Sequence, residues 1–237
     1  MILKYKSYWR KTGLKGKWGD IYLSHLDSFK PKNFLEIGVF CGVTARNTCE
    51  YLDKLHGNSF SYIGIDLFGG DKKSHVDEIE PNFLKNQTFS NPLKSLYYNY
   101  LKKENLNSIE SNQNLLKKFE KNVKLIAGDT NDVLKKTDIS DIDYIFLDGG
   151  HSYNTVSNDL NIIYEGLRGK NKVILCDDYG AASFIPDVKN AVDDFVSKNP
   201  SGYDLKLRER GEGLSGGQKQ SINLARAILH EPNLLIL

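Results

Sequence analysis

The sequence predicts an α/β protein built on a doubly wound, mostly parallel sheet, and three observations lead there. Five short apolar runs, rich in β-branched and aromatic residues, stop abruptly at a glycine or an acid, as buried parallel strands do at the carboxyl edge of a sheet. Stretches of helical periodicity separate several of them, and strands alternating with helices build a parallel sheet. A chain of 237 residues is ample for one such core and short for two full domains.

In chain order, residues 1–30 form a basic, aromatic leader carrying Tyr5, Tyr8, Trp9, Arg10, Lys11 and Trp18. It could close a pocket, make the contact of a homo-oligomer, or pack on the domain. Residues 31–207 are the expected main domain. Within it NFLEIG (33–38) is a first strand and residues 43–55 the helix that follows. Residues 60–68 give a second strand carrying Asp66, 123–129 a third, 142–148 a fourth and 172–178 a fifth, with helical patterns at 153–167 and 188–198. Residues 69–122 separate the second and third strands by far more than the few residues usual in such folds. They read as a helical insertion, and long ordered insertions are often lids or substrate-binding caps.

Composition narrows the function classes. With 40% hydrophobic and 26% charged residues the chain is neither disordered nor membranous. A net charge of +2, from 32 basic and 30 acidic side chains without a large block, argues against nucleic acid as a partner. Cys41, Cys49 and Cys176 form no CxxC pair and are too few for a disulfide framework, so a reducing cytoplasm is the expected compartment. Neither a signal-peptide core nor a run of about eighteen apolar residues occurs, so no membrane span is expected.

The first strand runs into Glu36-Ile37-Gly38-Val39-Phe40-Cys41-Gly42, so two glycines straddle the turn into a helix. Glycine there tolerates positive φ and lets backbone approach a ligand. The second strand ends in Asp66, where a carboxylate can accept hydrogen bonds from both hydroxyls of a ribose. Together they point to an adenosine-bearing cofactor. A dinucleotide would want G-x-G-x-x-G, and this loop is G-x-x-x-G with Glu36 two residues ahead, which disfavours a dinucleotide oxidoreductase. The E-x-G-x-x-x-G form resembles motif I of class I S-adenosylmethionine-dependent methyltransferases. That resemblance implies a Rossmann-like methyltransferase sheet, with Glu36 opening the motif, Gly38 and Gly42 beside the methionine portion, Asp66 on the ribose and Asp129 beside the adenine.

Asp148, His151, Asp177 and Asp178 lie at the ends of the fourth and fifth strands, outside which ligands sit in open α/β sheets. LDGGHSYNTVSNDL (147–160) followed by VILCDDYG (173–180) resembles the macrocin-type sugar O-methyltransferases, over roughly residues 33–196. The resemblance implies that Asp148, Asp177 and Asp178 hold Mg²⁺ or another divalent cation, that His151 is the general base, and that the acceptor is a hydroxyl of a sugar or similar small molecule. Elementary chemistry agrees, because hard dications prefer oxygen donors and an imidazole of ordinary pKa, about 6.5, accepts protons near neutrality. Two simpler roles compete: His151 capping the helix at 153, and Asp178 pointing away from its neighbour Asp177 unless the loop turns.

From about Glu209 the character changes. LSGGQ at 214–218, with the helix and apolar run after it, resembles the signature segment of ATP-binding cassette transporters, and 208–237 are expected to form a separate, truncated tail. No phosphate loop of the G-x-x-x-x-G-K-[ST] form occurs anywhere upstream of this segment in the sequence, which argues against an ATPase. The rival to a methyltransferase is a non-catalytic nucleotide-binding or interaction module carrying a transporter-cassette fragment.

Overall fold

The computed structural model describes residues 4–70, 83, 86–167, 172–181 and 184–198. The sixth strand expected at 203–207 and the 208–237 tail lie outside them. The chain divides into two units, residues 1–195 and 196–237, and the five described strands belong to the first.

Its elements are α1 (Lys17–Phe29), β1 (Asn33–Ile37), α2 (Val43–His56), β2 (Ser61–Asp66), α3 (Ile109–Leu116), β3 (Val123–Ala127), β4 (Tyr144–Leu147), α4 (Tyr153–Gly166), β5 (Val173–Cys176) and α5 (Pro186–Lys198). The strands lie in the order β3-β2-β1-β4-β5, every neighbouring pair parallel. The expected doubly wound, mostly parallel fold is therefore present.

Side-chain alternation along the strands builds two apolar layers. On one face Phe34, Tyr62 and Tyr144 stack ring on ring, with centroids 5.9 and 5.2 Å apart, beneath Leu26 of α1 and Leu52 of α2. On the other, Leu35, Ile37, Ile65 and Ile145 meet Val156, Leu160 and Ile163 of α4 and Ala191 of α5. Strand order reverses between β1 and β4, which opens a crevice at their carboxyl ends. The strand tips there are locked in register: Gly38 N–H donates to the Ile65 carbonyl at 2.9 Å, Asp148 N–H to Ile37 at 2.8 Å, and Asp177 N–H to Leu147 at 3.0 Å.

The leader and the insertion both pack on this frame. The leader contains a helix, α1, whose Tyr22, Leu23 and Leu26 are buried, and the Tyr5 hydroxyl shares a 2.8 Å hydrogen bond with Thr44 of α2. Of the three roles open to it from sequence, packing on the domain is the one seen. In the insertion, a short helix (Pro92–Ser95), a π-helical turn (Leu96–Leu101) and α3 are described. Phe83, Tyr98 and Leu106 form a small core with Cys41, so this part of the insertion packs on the loop between the two glycines. Among the described residues no helix is long and apolar enough to cross a membrane.

Candidate active site

The loop leaving β1 adopts the conformations that its glycines suggest. Gly38 has φ 92 and Gly42 φ 74. A Cβ on Gly38 would lie 1.9 Å from the carbonyl oxygen of Asp148, so this glycine is what lets the β1 and β4 tips touch. Between them Phe40 is held at φ 51, a left-handed conformation that costs a side-chain-bearing residue roughly 1–2 kcal/mol. Asp66 helps to hold it: Phe40 N–H donates to Oδ2 at 2.8 Å and Phe68 N–H to Oδ1 at 2.7 Å. Burial raises the Asp66 pKa, and these backbone donors oppose the rise.

Glu36 faces the aromatic side of the sheet and is 1% exposed. It accepts a 2.6 Å hydrogen bond from the Tyr62 hydroxyl. Burial pushes its pKa from 4.5 up to about 8, against the lowering effect of Tyr62. The linkage has a definite sign. Between pH 4.5 and 8 the unfolded chain releases the proton while the folded chain keeps it, so stability falls as pH rises through that window and levels off above it. Glu36→Gln removes the slope. The melting temperature of this variant relative to the parent is expected to rise by on the order of 5 °C between pH 5.5 and 8.5, taking about 2 kcal/mol for the effect. A constant difference across that range would show that Glu36 stays ionised. Asp129, at the tip of β3, caps the short helix Thr130–Val133 by accepting from Asn131 N–H at 2.9 Å.

The tips of β4 and β5 bring Asp148, His151, Asp177 and Asp178 to one recess. Burial, then the neighbouring Asp177 and Asp178, push the Asp148 carboxyl well above the usual carboxylate range. Asp177 is also raised, by burial first, and is partly steadied by the Asp178 N–H that donates to its Oδ1 at 3.0 Å. The backbone turns at Asp178, φ 58, and carries its Oδ2 to 3.1 Å from His151 Nε2. Ser152, not His151, caps α4, accepting from Thr155 N–H. The capping role weighed for the histidine therefore belongs to its neighbour.

Asp148, Asp177 and Asp178, the residues expected to hold Mg²⁺, line this one recess. Among the described residues no group of three or more His, Cys, Asp or Glu side chains is placed to hold a metal ion.

Two residues at the site were not singled out by their sequence context. Arg10 Nε donates to the Cys41 carbonyl at 2.8 Å, and Asn112 Nδ2 to that of Phe40 at 3.1 Å. Neither lies in a motif, and their neighbours in sequence are ordinary; only the three-dimensional packing joins them to the glycine loop.

Comparison with known proteins gives the family. A family model described as a methyltransferase domain matches residues 35–179, more than half of the chain, from within β1 to past the end of β5. Among solved structures, the calicheamicin methyltransferase CalS11 is 17% identical with a TM-score of 0.53, over 85% of this chain and 79% of that one; this likeness is one of fold. Curated relatives match short stretches. The cyclolysin secretion/processing ATP-binding protein CyaB of Bordetella pertussis is 54% identical over 44 residues, 19% of this chain and 6% of that protein. The uncharacterized ABC transporter ATP-binding protein YknU of Bacillus subtilis is 60% identical over 43 residues, 18% of this chain and 7% of its own length. The chain thus spans only a small fraction of the curated relatives it matches.

Proposed function

The chain belongs to the methyltransferase-domain family, and from that premise we propose that it transfers a methyl group from S-adenosylmethionine to a hydroxyl of a small, sugar-like acceptor. The observation that carries this proposal is the His151–Asp178 hydrogen bond, 3.1 Å long, at strand tips that touch the glycine loop. A proton-accepting imidazole oriented by a carboxylate, beside a loop suited to an adenosine-bearing cofactor, is what hydroxyl methylation requires.

S-adenosylmethionine supplies an electrophilic methyl carbon on a sulfonium that departs as a neutral thioether. The protein's own work is to hold, orient and deprotonate. Gly38 and Gly42 give the loop its positive-φ turns, the remaining lone pairs of Asp66 suit ribose hydroxyls, and Asp129 flanks the adenine end. With His151 Nε2–H donating to Asp178, the basic nitrogen of the neutral ring is Nδ1. As the acceptor oxygen bonds to the methyl carbon and the carbon–sulfur bond breaks, the hydroxyl proton passes to that nitrogen. The sugar-like acceptor rests on the resemblance at residues 147–160 and 173–180.

Divalent-metal assistance is a finer question. The donor chemistry of Asp148 and Asp177 suits a hard cation, but the described side chains do not gather three ligands, and no step above passes through an ion. Removal of metal with EDTA followed by Mg²⁺ addition tests it: magnesium-restored turnover would assign an ion to the Asp148–Asp177 pair, and EDTA-insensitive turnover would remove it from the reaction.

The proposal itself is tested by calorimetry and by methyl transfer from labelled S-adenosylmethionine to sugar nucleotides and catechols. S-adenosylhomocysteine is expected to bind and ATP not to. Binding of ATP alone would favour the nucleotide-binding module.

A further inference from the structure

Arg10 is 6% exposed, although it comes from the N-terminal arm and its carboxylate contact among the described residues is a 3.4 Å approach of Nη1 to Glu104. Its other bonds go to neutral oxygens. Nε donates to the Cys41 carbonyl at 2.8 Å, and Nη2 to the Leu106 carbonyl at 2.9 Å and to Ser111 Oγ at 2.5 Å. A planar fork of donors fits this spread of acceptors, and an ammonium does not. Asn112, fully buried, repeats the pattern: its Nδ2 donates to the carbonyls of Phe40 at 3.1 Å, Leu106 at 3.3 Å and Ser108 at 3.0 Å.

Two successive carbonyls of the glycine loop, Phe40 and Cys41, are thus each taken by a side chain from elsewhere in the chain. Both of those side chains are tied in turn to Leu106 in the insertion. The arrangement answers a local problem, because Phe40 sits at φ 51 and would relax if only its N–H, bonded to Asp66, were held. It also accounts for Gly42: a Cβ there would lie 2.1 Å from Asn112 Oδ1.

We propose that Arg10, with Asn112, is a positioning residue of the cofactor site, fixing the Phe40 and Cys41 carbonyls so that affinity for S-adenosylmethionine depends on the N-terminal arm and the 104–112 stretch of the insertion. The inference rests on the methyltransferase function proposed above and adds that this part of the insertion serves the cofactor side of the crevice.

The test titrates S-adenosylhomocysteine into the full chain carrying Arg10→Lys or Ser111→Ala, alongside KM for S-adenosylmethionine and kcat. Arg10→Lys is expected to weaken binding about tenfold, the loss of one or two charge-assisted hydrogen bonds. KM should rise in step while kcat at saturation stays within about threefold. Ser111→Ala, which empties no large volume, is expected to weaken binding about threefold and decides the matter if Arg10→Lys fails to fold. Unchanged affinity in a folded Arg10→Lys variant, or in Ser111→Ala where Arg10→Lys does not fold, overturns the positioning role, as does a fall in thermal stability and kcat with affinity intact. A parent chain that fails to bind S-adenosylhomocysteine overturns the proposed function, and this inference with it; a parent that binds and variants that bind equally well overturn this inference alone.

Discussion

Replacing His151 by alanine is expected to lower kcat by about 10²–10⁴-fold, the range for removal of a positioned general base, while S-adenosylhomocysteine affinity changes by less than about twofold. The split follows from place. His151 stands beyond the tip of β4 and is bonded to Asp178 of the β5 tip, whereas the glycine loop is held by Asp66, Arg10 and Asn112. Removing the imidazole therefore leaves the cofactor side intact. Stopped-assay turnover together with calorimetry reads both quantities, and a parallel loss of cofactor affinity would show that the histidine is part of the scaffold. Asp178→Asn extends the test. If Asp178 acts through the histidine, its substitution should lower kcat in the parent yet add little in the His151→Ala background, because residues working as one unit are non-additive. Additive losses would mean that Asp178 has business of its own.

What the sequence made legible follows from how strongly each feature is dictated locally. The five strands were readable because buried parallel strands must be nearly continuous apolar runs, and an abrupt acid or glycine marks where burial ends. The positions of Gly38, Asp66, Asp148 and Asp177 at the crevice edge were readable for the same reason: they sit at or just past strand ends, where chain order alone fixes their layer. Helix α1 was missed although Tyr22, Leu23 and Leu26 lie at helical spacing, because the aromatic and basic residues around it drew the segment toward a surface role. The partnership of Asp178 was also out of reach. Whether the second of two adjacent acids points with the first or away from it depends on one dihedral angle, and at φ 58 it turned to the histidine. The contacts of Arg10 and Asn112 were invisible for a different reason: their partners are main-chain carbonyls, 31 and 72 positions away for Cys41 and Phe40, and a carbonyl leaves no mark in a sequence.

The largest structural effect is expected from Gly38→Ala. Two costs act at once. The residue must keep φ 92, a region that a side chain makes unfavourable by roughly 1–2 kcal/mol, and its Cβ must occupy a point 1.9 Å from the Asp148 carbonyl oxygen and 2.8 Å from Gly149 Cα. Those obstacles are backbone atoms held in register by the Asp148 N–H···O=C Ile37 bond at 2.8 Å, so no flexible side chain can swing away. Either the β1 and β4 tips part or the loop changes course, and together the costs come to about 3 kcal/mol or more. A rearranged loop should cost S-adenosylhomocysteine affinity on the order of 100-fold if that strain must be restored on binding. Gly57→Ala is the control that separates the two causes. Gly57 also has positive φ, 58, with ψ −137, but no described atom lies within 4 Å of the point its Cβ would occupy, so it should lose only the conformational share, about 1–3 kcal/mol, and keep its affinity for the cofactor product. Equal destabilisation and equal affinity in the two variants, measured by denaturant unfolding and calorimetry, would mean that the contact between the glycine loop and the β4 tip does not govern the site.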